Sequence, residues 1–584
     1  MSFSDLRAAR QSKNARAFAA QSQAQQVNAS PSPKQDKTES QEPSADAETL
    51  LDLYDLPDAL TIRVVPREGR GIWSKHFIKR GSVILSVKPH TSVLSTPNLA
   101  SYCSHCFEAA SEAGLKRCAR CRIVHYCTSG CQTADWTIHK RECAALQDWA
   151  THAPSAEVSV PSDAVRCLGR LLWAQQTEGP GSPCSKQVAA MQSNRKSLQP
   201  SAFEFHANLS HFLVRYLGIS SPDGLQEFGI ASSSDLVDLT SRFATNSYTV
   251  TTPDLTPVGA CVSPVVALIN HSCSPNAVVV FPRTSRVPLT EEPNMIVVAL
   301  RDIQPDEQVL TSYIDTTLPR SMRRRELLDA YSFSCQCTLC TASSVVDPRE
   351  ALWCPKSCGG NCPLPTEENS LSQCARCKTA VKDTDAVLDA VRVGQQGLDK
   401  ANSLQTKDPA KAVQLTTNLM PILISAKLTP SSHPLLGLSR LHQTLLISAF
   451  SASPTQDVLD EAIRTATRNT TGLSMILDEG HPVRGVALAE AGKLLAVDEL
   501  EAKKPSAMPF ERQDAFPPTG PPRLKLAYET LQRAREELLI GFSRAMEGGQ
   551  VGREVRDALA ALEKEMDVWK GGLRNAVNDL PRGS

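Results

Sequence analysis

Nineteen cysteines constrain this chain of 584 residues more than any other feature. Seven lie within 103–143, three within 335–340 and five within 354–377. An odd total in closely spaced pairs does not fit a disulfide framework in a large neutral chain. Thiolates at such spacings are typical zinc ligands in a reducing compartment. We therefore expect metal sites rather than disulfides.

The length predicts roughly three or four domains, since a domain typically contains about 100–200 residues. The 62 Lys and Arg residues balance 62 Asp and Glu, which argues against a dedicated nucleic-acid coat or polybasic membrane protein. No apolar run approaches the roughly 18 residues that a membrane helix needs, and the N-terminus lacks the apolar segment of a secretory signal. We expect a soluble monomer without membrane association, in the cytoplasm and/or nucleus; a mitochondrial transit peptide is the minor alternative.

Changes of pattern along the chain predict an α+β protein. Residues 1–50 are rich in Ser, Gln and Ala, and we expect a disordered tail there. β-rich runs within 61–87 recur after a helical stretch over about 163–240. From about 384 to 575, apolar residues at three- and four-residue spacing predict a helical-hairpin array, which the Pro-rich loop 501–523 interrupts.

The first cysteine segment offers eight soft ligands, enough for two tetrahedral zinc sites. The candidates are Cys103, Cys106, Cys118, Cys121, Cys127, Cys131, His139 and Cys143. A segment this short has little core of its own, and structural zinc can contribute on the order of 10–16 kcal/mol of folding free energy. A redox switch built from the same thiols is the alternative.

The string YCTSGCQTADWTIHKREC, together with this spacing, resembles the MYND zinc finger. The resemblance implies two interleaved ligand sets: Cys103, Cys106, Cys127 and Cys131 on one zinc, and Cys118, Cys121, His139 and Cys143 on the other. His105 and His125 are then not ligands. The resemblance also implies Pro-rich peptide partners, with Gln132 and Trp136 at the peptide-contact positions. Simple packing of Trp136 on its helix is an equal alternative.

Three further strings carry polar or aromatic residues beside β-rich runs. NHSCSPN at 270–276 lies between apolar flanks, TSYID occupies 311–315, and YSFSCQCTLC occupies 331–340. A zinc bound by Cys335, Cys337 and Cys340 needs a fourth ligand. Cys273, within the first string, can supply it.

Together with EGRGIW at 68–73, these strings resemble the SET domain of protein lysine methyltransferases, and the order with the inserted finger resembles the SMYD family. The resemblance implies a β-rich SET core split by the MYND finger and helices, then a post-SET zinc segment and an all-α tetratricopeptide-like C-terminal domain. The implied domains are the SET N-terminal part at 51–102, the finger at 103–143, a helical insertion at 144–240, the SET core at 241–334, the post-SET segment and a zinc ribbon at 335–380, and the C-terminal domain at 381–584.

The implied activity is S-adenosylmethionine-dependent protein-lysine N-methylation of histone and/or non-histone proteins, including chromatin. The substrate lysine is the nucleophile, so the enzyme must bind the cofactor, align the amine and favour its neutral form. A lysine with a pKa of about 10.4 costs roughly 4.6 kcal/mol to deprotonate at pH 7. A dry aromatic channel near a positive charge lowers that cost.

The resemblance also assigns the site residues. Tyr313 is the catalytic residue, with its hydroxyl at the methyl-transfer point and in contact with the cofactor, and Tyr331 flanks the lysine channel. The other implied cofactor-binding residues are Gly69, Arg70, Gly71, Asn246, Asn270, His271 and Phe333. Taken singly, each has an ordinary structural interpretation: a core strand tyrosine, a glycine turn or a hydrogen-bonded histidine.

Eight cysteines remain, of which five lie close together at Cys354, Cys358, Cys362, Cys374 and Cys377, while Cys167, Cys184 and Cys261 are expected to be free thiols. Cys354, Cys358, Cys374 and Cys377 predict a zinc ribbon in which Cys362 could replace Cys358; a flexible loop with free thiols is the alternative. We therefore expect three zinc ions, and a fourth if the ribbon binds one.

Two competing functions stay open at this point. The first is a MYND-based interaction scaffold or transcriptional co-regulator with a weak or inactive SET core. The second, with less support, is a DNA-binding zinc protein, since the basic residues of the finger fit a solvated face equally well. Nucleic acid is therefore not an expected partner.

Overall fold

The computed structural model describes residues 53–578, except 67, 180, 199, 284–287, 343–345, 368–370 and 501–515. The expected disordered tail, and most of the Pro-rich loop, lie outside the described residues. Within the described part of the chain, no helix is both long and apolar enough to cross a membrane.

The β-rich core consists of small sheets built from distant segments. β1 (Leu60–Val65) pairs antiparallel with β2 (Gly69–Ser74). A second sheet contains, in spatial order, β10 (Ala277–Val280), β11 (Met295–Ala299) and β3 (Val83–Val87). A third contains β4 (Thr91–Leu94), β8 (Pro257–Val262) and β7 (Ser247–Thr251). Both three-stranded sheets contain strands from before and after the insertion. The core therefore forms only when the segment after the insertion packs against the segment before it.

A short parallel pair joins two of the strings singled out in the sequence. β9 (Asn270–His271) lies beside β12 (Leu310–Thr311), with Leu310 opposite Asn270 and Thr311 opposite His271. The Ser272 N–H continues the pairing by donating to the Thr311 carbonyl over 2.8 Å. This pairing sets the NHSC string directly against the start of the TSYID string.

The insertion begins with the cysteine-rich segment and continues as helices. A small hairpin of β5 (Lys116–Arg117) and β6 (His125–Tyr126) precedes α1 (Ser129–Thr151). The Thr128 side chain caps α1 by accepting from the Cys131 N–H over 3.1 Å. The remaining helices are α2 (Asp163–Glu178), α3 (Pro183–Ala190), α4 (Pro200–Tyr216), α5 (Pro222–Gln226) and α6 (Ser233–Asn246). α2 is buried on all sides over its first three turns, so it forms the centre of the insertion.

After the core, two short helices and a hairpin lead into the C-terminal array. They are α7 (Arg320–Tyr331), α8 (Thr338–Thr341), β13 (Ala351–Trp353) and β14 (Asn361–Pro363). The array contains α9 (Thr384–Leu404), α10 (Pro409–Ser425), α11 (Leu435–Ala452), α12 (Gln456–Ser474), α13 (Pro482–Ala496), α14 (Pro521–Gly541) and α15 (Gly549–Asn578). Successive helices of the array contact one another, with Asp383, Asp408 and Thr455 as N-caps.

The array is fixed to the β-rich core by a shared apolar cluster. Val280 and Ile296, from the second sheet, are buried with Leu538 of α14 and Val555 of α15. α13 and α14 approach closely, since a Cβ at Gly492 would lie 2.6 Å from Leu531 Cγ. The predicted α+β class with an all-helical C-terminal region is therefore confirmed. The exact domain boundaries stay a prediction.

Candidate active site and zinc sites

The finger brings its eight candidate ligands together in two groups. One group contains Cys103, Cys106, Cys127 and Cys131, and the other Cys118, Cys121, His139 and Cys143; within each, the ligand atoms lie within 4.8 Å of one another. These are the interleaved sets that the resemblance implied. His105 belongs to neither group, and its Nε2 instead lies 2.9 Å from the Thr290 carbonyl. Structural zinc is typically bound by four thiolate or imidazole donors, as in each of these groups.

A buried charge network connects the second finger site to the helical insertion. His139 Nε2 faces Cys121 at 3.7 Å, while His139 Nδ1 lies 2.9 Å from Glu142 Oε2. Arg170 of α2 donates to Glu142 Oε1 over 3.0 Å and to Asp135 Oδ1 over 2.9 Å. Burial opposes ionisation of Glu142, but the Arg170 guanidinium and the hydrogen bond with His139 together lower the carboxyl pKa to about 2. A carboxylate on the far nitrogen of a ligating histidine fixes the ring for the metal.

Gln132 and Trp136 lie one turn apart on α1, and both are half-buried. The Trp136 ring contacts His139 edge-on, with ring centroids 5.9 Å apart. Trp136 therefore packs on its own helix while part of its surface stays accessible, so the packing role and the predicted peptide role are compatible.

The post-SET cysteines gather as the sequence suggested. Sγ of Cys273 lies 3.4 Å from Sγ of Cys340 and 4.0 Å from Sγ of Cys335, and Cys337 completes the group. Tyr313 and Phe333 pack in the same apolar cluster as these cysteines. A zinc ion here would hold the 331–340 segment against the NHSC string.

The glycine turn at the start of β2 leaves space that the side chain of any other residue would fill. Gly69 has a φ of +75°, in the left-handed region that favours glycine. A Cβ at Gly71 would lie 2.4 Å from Gln308 Nε2 and 3.1 Å from Asn270 Nδ2. Asn270 in turn donates to the Arg70 carbonyl over 3.1 Å. The predicted cofactor residues of the turn and of the NHSC string are thus in direct contact.

Asn246 lies at the end of α6, where its amide donates to the Gln192 carbonyl over 2.8 Å. Its side chain and those of Asn270, Tyr313 and Phe333 line one cavity. Gln308 lines the same cavity, and its buried Nε2 has no hydrogen-bond partner among the described residues. An unpaired buried donor in a cavity is a ready contact for a bound polar group.

An aromatic cluster forms the inner end of this cavity. The Tyr313 ring centroid lies 4.9 Å from that of Tyr331, 5.3 Å from His271 and 6.5 Å from Phe333. The Tyr313 hydroxyl donates to the Ile269 carbonyl over 2.8 Å. Burial raises the pKa of Tyr313 well above its ordinary value, and the neighbouring Tyr331 adds to the effect. Tyr313 therefore stays protonated near neutral pH and offers a hydroxyl in a fixed position.

The His271 side chain has a role that the sequence did not indicate. The Tyr313 N–H donates to His271 Nδ1 over 3.0 Å, so the ring carries its proton on Nε2, which lies 3.3 Å from Cys273 Sγ. Burial lowers the pKa of His271 to about 4, which keeps the ring neutral. One imidazole thus connects the Tyr313 backbone to a predicted zinc ligand.

Besides Gln308, sequence reasoning missed two residues of the site. Tyr248 of β7 lines the cavity, and burial raises its pKa well above the ordinary value, with smaller contributions from the nearby Tyr313 and Tyr331. The available signal was its place in the NSYTV string beside Asn246. The buried Asn276 amide donates to the Gln308 carbonyl and accepts from the Leu310 N–H, each over 2.8 Å. It holds β12 in place and ends the NHSCSPN string.

The cavity opens into a cleft between the β-rich core and the helical array. Side chains from α9 and from the start of α11 line its far wall, among them Gln395, Asp399, His433 and Arg440. Arg440 reaches across to Asp315, two residues after Tyr313, over 3.5 Å. The cleft is therefore bounded by both halves of the molecule.

The SET domain family model matches residues 69–314 of this chain, from the glycine turn to the TSYID string. N-lysine methyltransferase SMYD2 of Gallus gallus is 32% identical over 295 residues, which cover 49% of this chain and 60% of that protein. Histone-lysine N-methyltransferase ASHR1 of Arabidopsis thaliana is 29% identical over 288 residues, which cover 48% of this chain and 55% of that protein.

A solved structure, the SET domain of LSMT bound to lysine and AdoHcy, is 13% identical. It covers 77% of this chain and 92% of its own, with a TM-score of 0.29, and a similarity this low does not bear on function. The fold and the site agree with the SET domain that the family model matches at residues 69–314. Over 49% of its length the chain is similar to SMYD2, a member of the SMYD family. The chain covers less than two thirds of the length of either curated relative.

Proposed function

We propose that this protein is an S-adenosylmethionine-dependent protein-lysine N-methyltransferase. The observation that carries the proposal is the meeting of Tyr313, Asn270 and the turn at Gly69–Arg70–Gly71 at one cavity. These residues come from three separate segments, and each makes a contact that depends on the others. The two curated relatives support the proposal, since both are named as lysine methyltransferases.

The residues present fit the cofactor. The missing Cβ at Gly71 makes room for the Gln308 and Asn270 side chains, the left-handed turn at Gly69 borders open space, and Gln308 Nε2 offers an unpaired donor. Asn270, Asn246, Phe333 and the backbone of His271 would complete its binding site. When bound, the cofactor supplies a methyl group already activated on a positively charged sulfur.

The aromatic cluster would receive the substrate lysine. Tyr313, Tyr331, Tyr248 and Phe333 form walls of low polarity that disfavour the ammonium form, so the amine enters after losing its proton to solvent. Tyr313 is held in a single orientation by its bond to the Ile269 carbonyl and by the His271 contact to its backbone. A fixed hydroxyl and the surrounding rings would align the neutral amine with the methyl group, which is the main contribution a protein makes to such a transfer.

Labelled cofactor and a broad protein extract, including histones, provide the test. We expect methyl transfer onto lysine by the wild-type protein and a loss on the order of 10²-fold for Tyr313→Phe, which removes only the positioned hydroxyl. Tyr528→Phe is the matched control, because Tyr528 hydrogen-bonds Glu563 in the array, and its activity should be unchanged. Equal incorporation by wild type and Tyr313→Phe would refute the proposal.

The scaffold alternative predicts a different result in one measurement. A pure scaffold need not bind S-adenosylmethionine, so calorimetry with the cofactor alone separates the two functions. The contacts among Gly71, Gln308 and Asn270 favour an enzyme, because a scaffold has no need of a turn that only glycine can form.

The remaining features of the proposal concern partners and location. Gln132 and Trp136 on one face of α1 support a Pro-rich peptide site on the finger, to be tested by binding of such peptides to wild type and Trp136→Ala. We propose a monomer located in the cytoplasm and/or nucleus, and cell fractionation together with light scattering checks both points.

A further inference from the structure

Four cysteine sulfurs beyond the SET core converge on one point. Cys354 Sγ lies 3.5 Å from Cys377 Sγ, Cys358 Sγ lies 3.5 Å from Cys374 Sγ, and all four lie within 4.8 Å of one another. In a tetrahedral site with Zn–S bonds of about 2.3 Å, the sulfurs are about 3.8 Å apart. The observed spacing therefore matches a four-thiolate zinc site.

The backbone around these sulfurs is arranged to leave space for them. In the first loop, the Ser357 N–H donates to the Cys354 carbonyl over 2.9 Å, and in the second the Lys378 N–H donates to the Cys374 carbonyl over 3.0 Å. Ser357 and Lys378 both adopt positive φ, at +52° and +59°, a conformation that non-glycine residues rarely hold without support. A Cβ at Gly360 would lie 2.8 Å from Cys374 Sγ. Two turns with strained backbone and one glycine thus lie around the place where the four sulfurs meet.

We propose that Cys354, Cys358, Cys374 and Cys377 bind a fourth zinc ion, and that Cys362 is not a ligand. Cys362 lies in β14 opposite Leu352, fully buried in the apolar cluster beneath the site. It belongs to none of the ligand groups found among the described residues. The sequence left Cys358 and Cys362 as alternatives, and the placement of their side chains distinguishes them.

The position of the site indicates what the zinc does. The β13–β14 hairpin, whose loop carries Cys354 and Cys358, is bound to the α10–α11 connection: the Trp353 N–H donates to the Lys427 carbonyl over 2.8 Å, and the Thr429 N–H donates to the Ala351 carbonyl over 3.2 Å. Arg349, just before β13, donates to the Thr316 carbonyl over 2.5 Å and to the Ile476 carbonyl over 2.9 Å. The module therefore lies between the core beside Tyr313 and the array.

Zinc at this point would hold the hairpin closed, and the hairpin in turn supports the segment that ends at His433, on the far wall of the cleft. The His433 N–H donates to the Arg349 carbonyl over 2.9 Å, which makes this connection direct. The fourth zinc is thus a structural strut that fixes one wall of the cleft relative to the other. This role does not depend on the chemistry performed there.

Metal content of the full-length protein, measured by mass spectrometry after exhaustive dialysis, is the test. We expect four zinc ions per chain in the wild type, three in Cys358→Ala and four in Cys362→Ala, which is the matched control from the same loop. If Cys358→Ala does not fold, Cys377→Ala replaces it, because Cys377 is exposed and its loss disturbs the core least.

Hydrogen exchange supplies the second measurement. Amides of 351–363 and 427–433 should exchange faster in Cys358→Ala than in Cys362→Ala. Three zinc ions in the wild type would overturn the proposal, as would loss of one zinc in Cys362→Ala, or a chain mass lower by four hydrogens, which would mean two disulfides. None of these results depends on methyl transfer. The experiment can therefore refute the structural role of the fourth zinc without refuting the proposed methyltransferase activity, and the reverse also holds.

Discussion

Arg170 is the single side chain on which the junction between the finger and the insertion most depends. It pairs with Asp135 and Glu142, two carboxylates that are 5% and 0% exposed. Replacing Arg170 by Met keeps most of the side-chain length, but it leaves both carboxylates buried without the positive charge of the guanidinium. Breaking a buried pair by removing one partner costs about 3–5 kcal/mol, and the two stranded carboxylates place this case toward the upper end.

Local opening of α1 is the quantity that should change. Because about 1.36 kcal/mol corresponds to a factor of ten, we expect amides of α1 to exchange roughly two to three and a half orders of magnitude faster in Arg170→Met. The second finger zinc should also transfer faster to a chelator, since Glu142 orients the ligand His139. Hydrogen exchange suits the question better than a melting temperature, because a chain with several domains does not unfold in two states.

The control for this experiment is a solvent-exposed ion pair. Lys525 and Glu529 lie one turn apart on α14 at 3.8 Å, with side chains 75% and 55% exposed. Lys525→Met should leave exchange throughout the molecule almost unchanged. If Arg170→Met exchanges and loses zinc like Lys525→Met, the network does not stabilise the junction and the reasoning is wrong.

Two further predictions concern the cavity. Gly71→Ala places a methyl group 2.4 Å from Gln308 Nε2, so calorimetry should show weaker cofactor binding, whereas Gly181→Ala, whose Cβ meets open space, should bind normally; equal affinities would show that the turn does not approach the ligand. Between pH 7 and 9 the methyl-transfer rate should rise about tenfold per unit, because the neutral fraction of a lysine with pKa about 10.4 rises by that factor. The raised pKa of Tyr313 means that its ionisation causes no decline in this range, and a flat profile would contradict the proposed entry of a neutral amine.

The metal sites could be anticipated from the sequence to a large extent, because their ligands come in local pairs such as Cys103 with Cys106 and Cys374 with Cys377. Pairs two or three residues apart can share a metal whatever the rest of the chain does. Which pairs combine on one metal ion is determined by the tertiary structure. For the finger the family resemblance supplied it, whereas the choice between Cys358 and Cys362 required the hairpin register that turns Cys362 toward the core.

The residues that sequence reasoning did not identify act through non-local contacts. Arg170 lies in a Leu-rich segment that indicates only a buried helix, and nothing near it in sequence shows that two carboxylates of α1 face it. Tyr248 of β7 and Gln308, two residues before β12, likewise line the cavity with the NHSC string only because strands of separate sheets come together there. Local pattern predicts elements, but it does not predict which polar groups meet when sheets assemble from distant strands.

A zinc ion at the post-SET cysteines would be connected to Tyr313 by two paths. One path runs through the chain, since Cys335 lies two residues after Phe333 and four after Tyr331, and those rings form the wall beside Tyr313. The second path runs through His271, whose Nε2 faces Cys273 and whose Nδ1 accepts from the Tyr313 N–H. A thiolate accepting from Nε2 fixes the tautomer that lets Nδ1 accept, so the cysteine set and the backbone of Tyr313 stabilise each other. A zinc ion held by these cysteines would therefore position both the aromatic wall and the Tyr313 hydroxyl beside it.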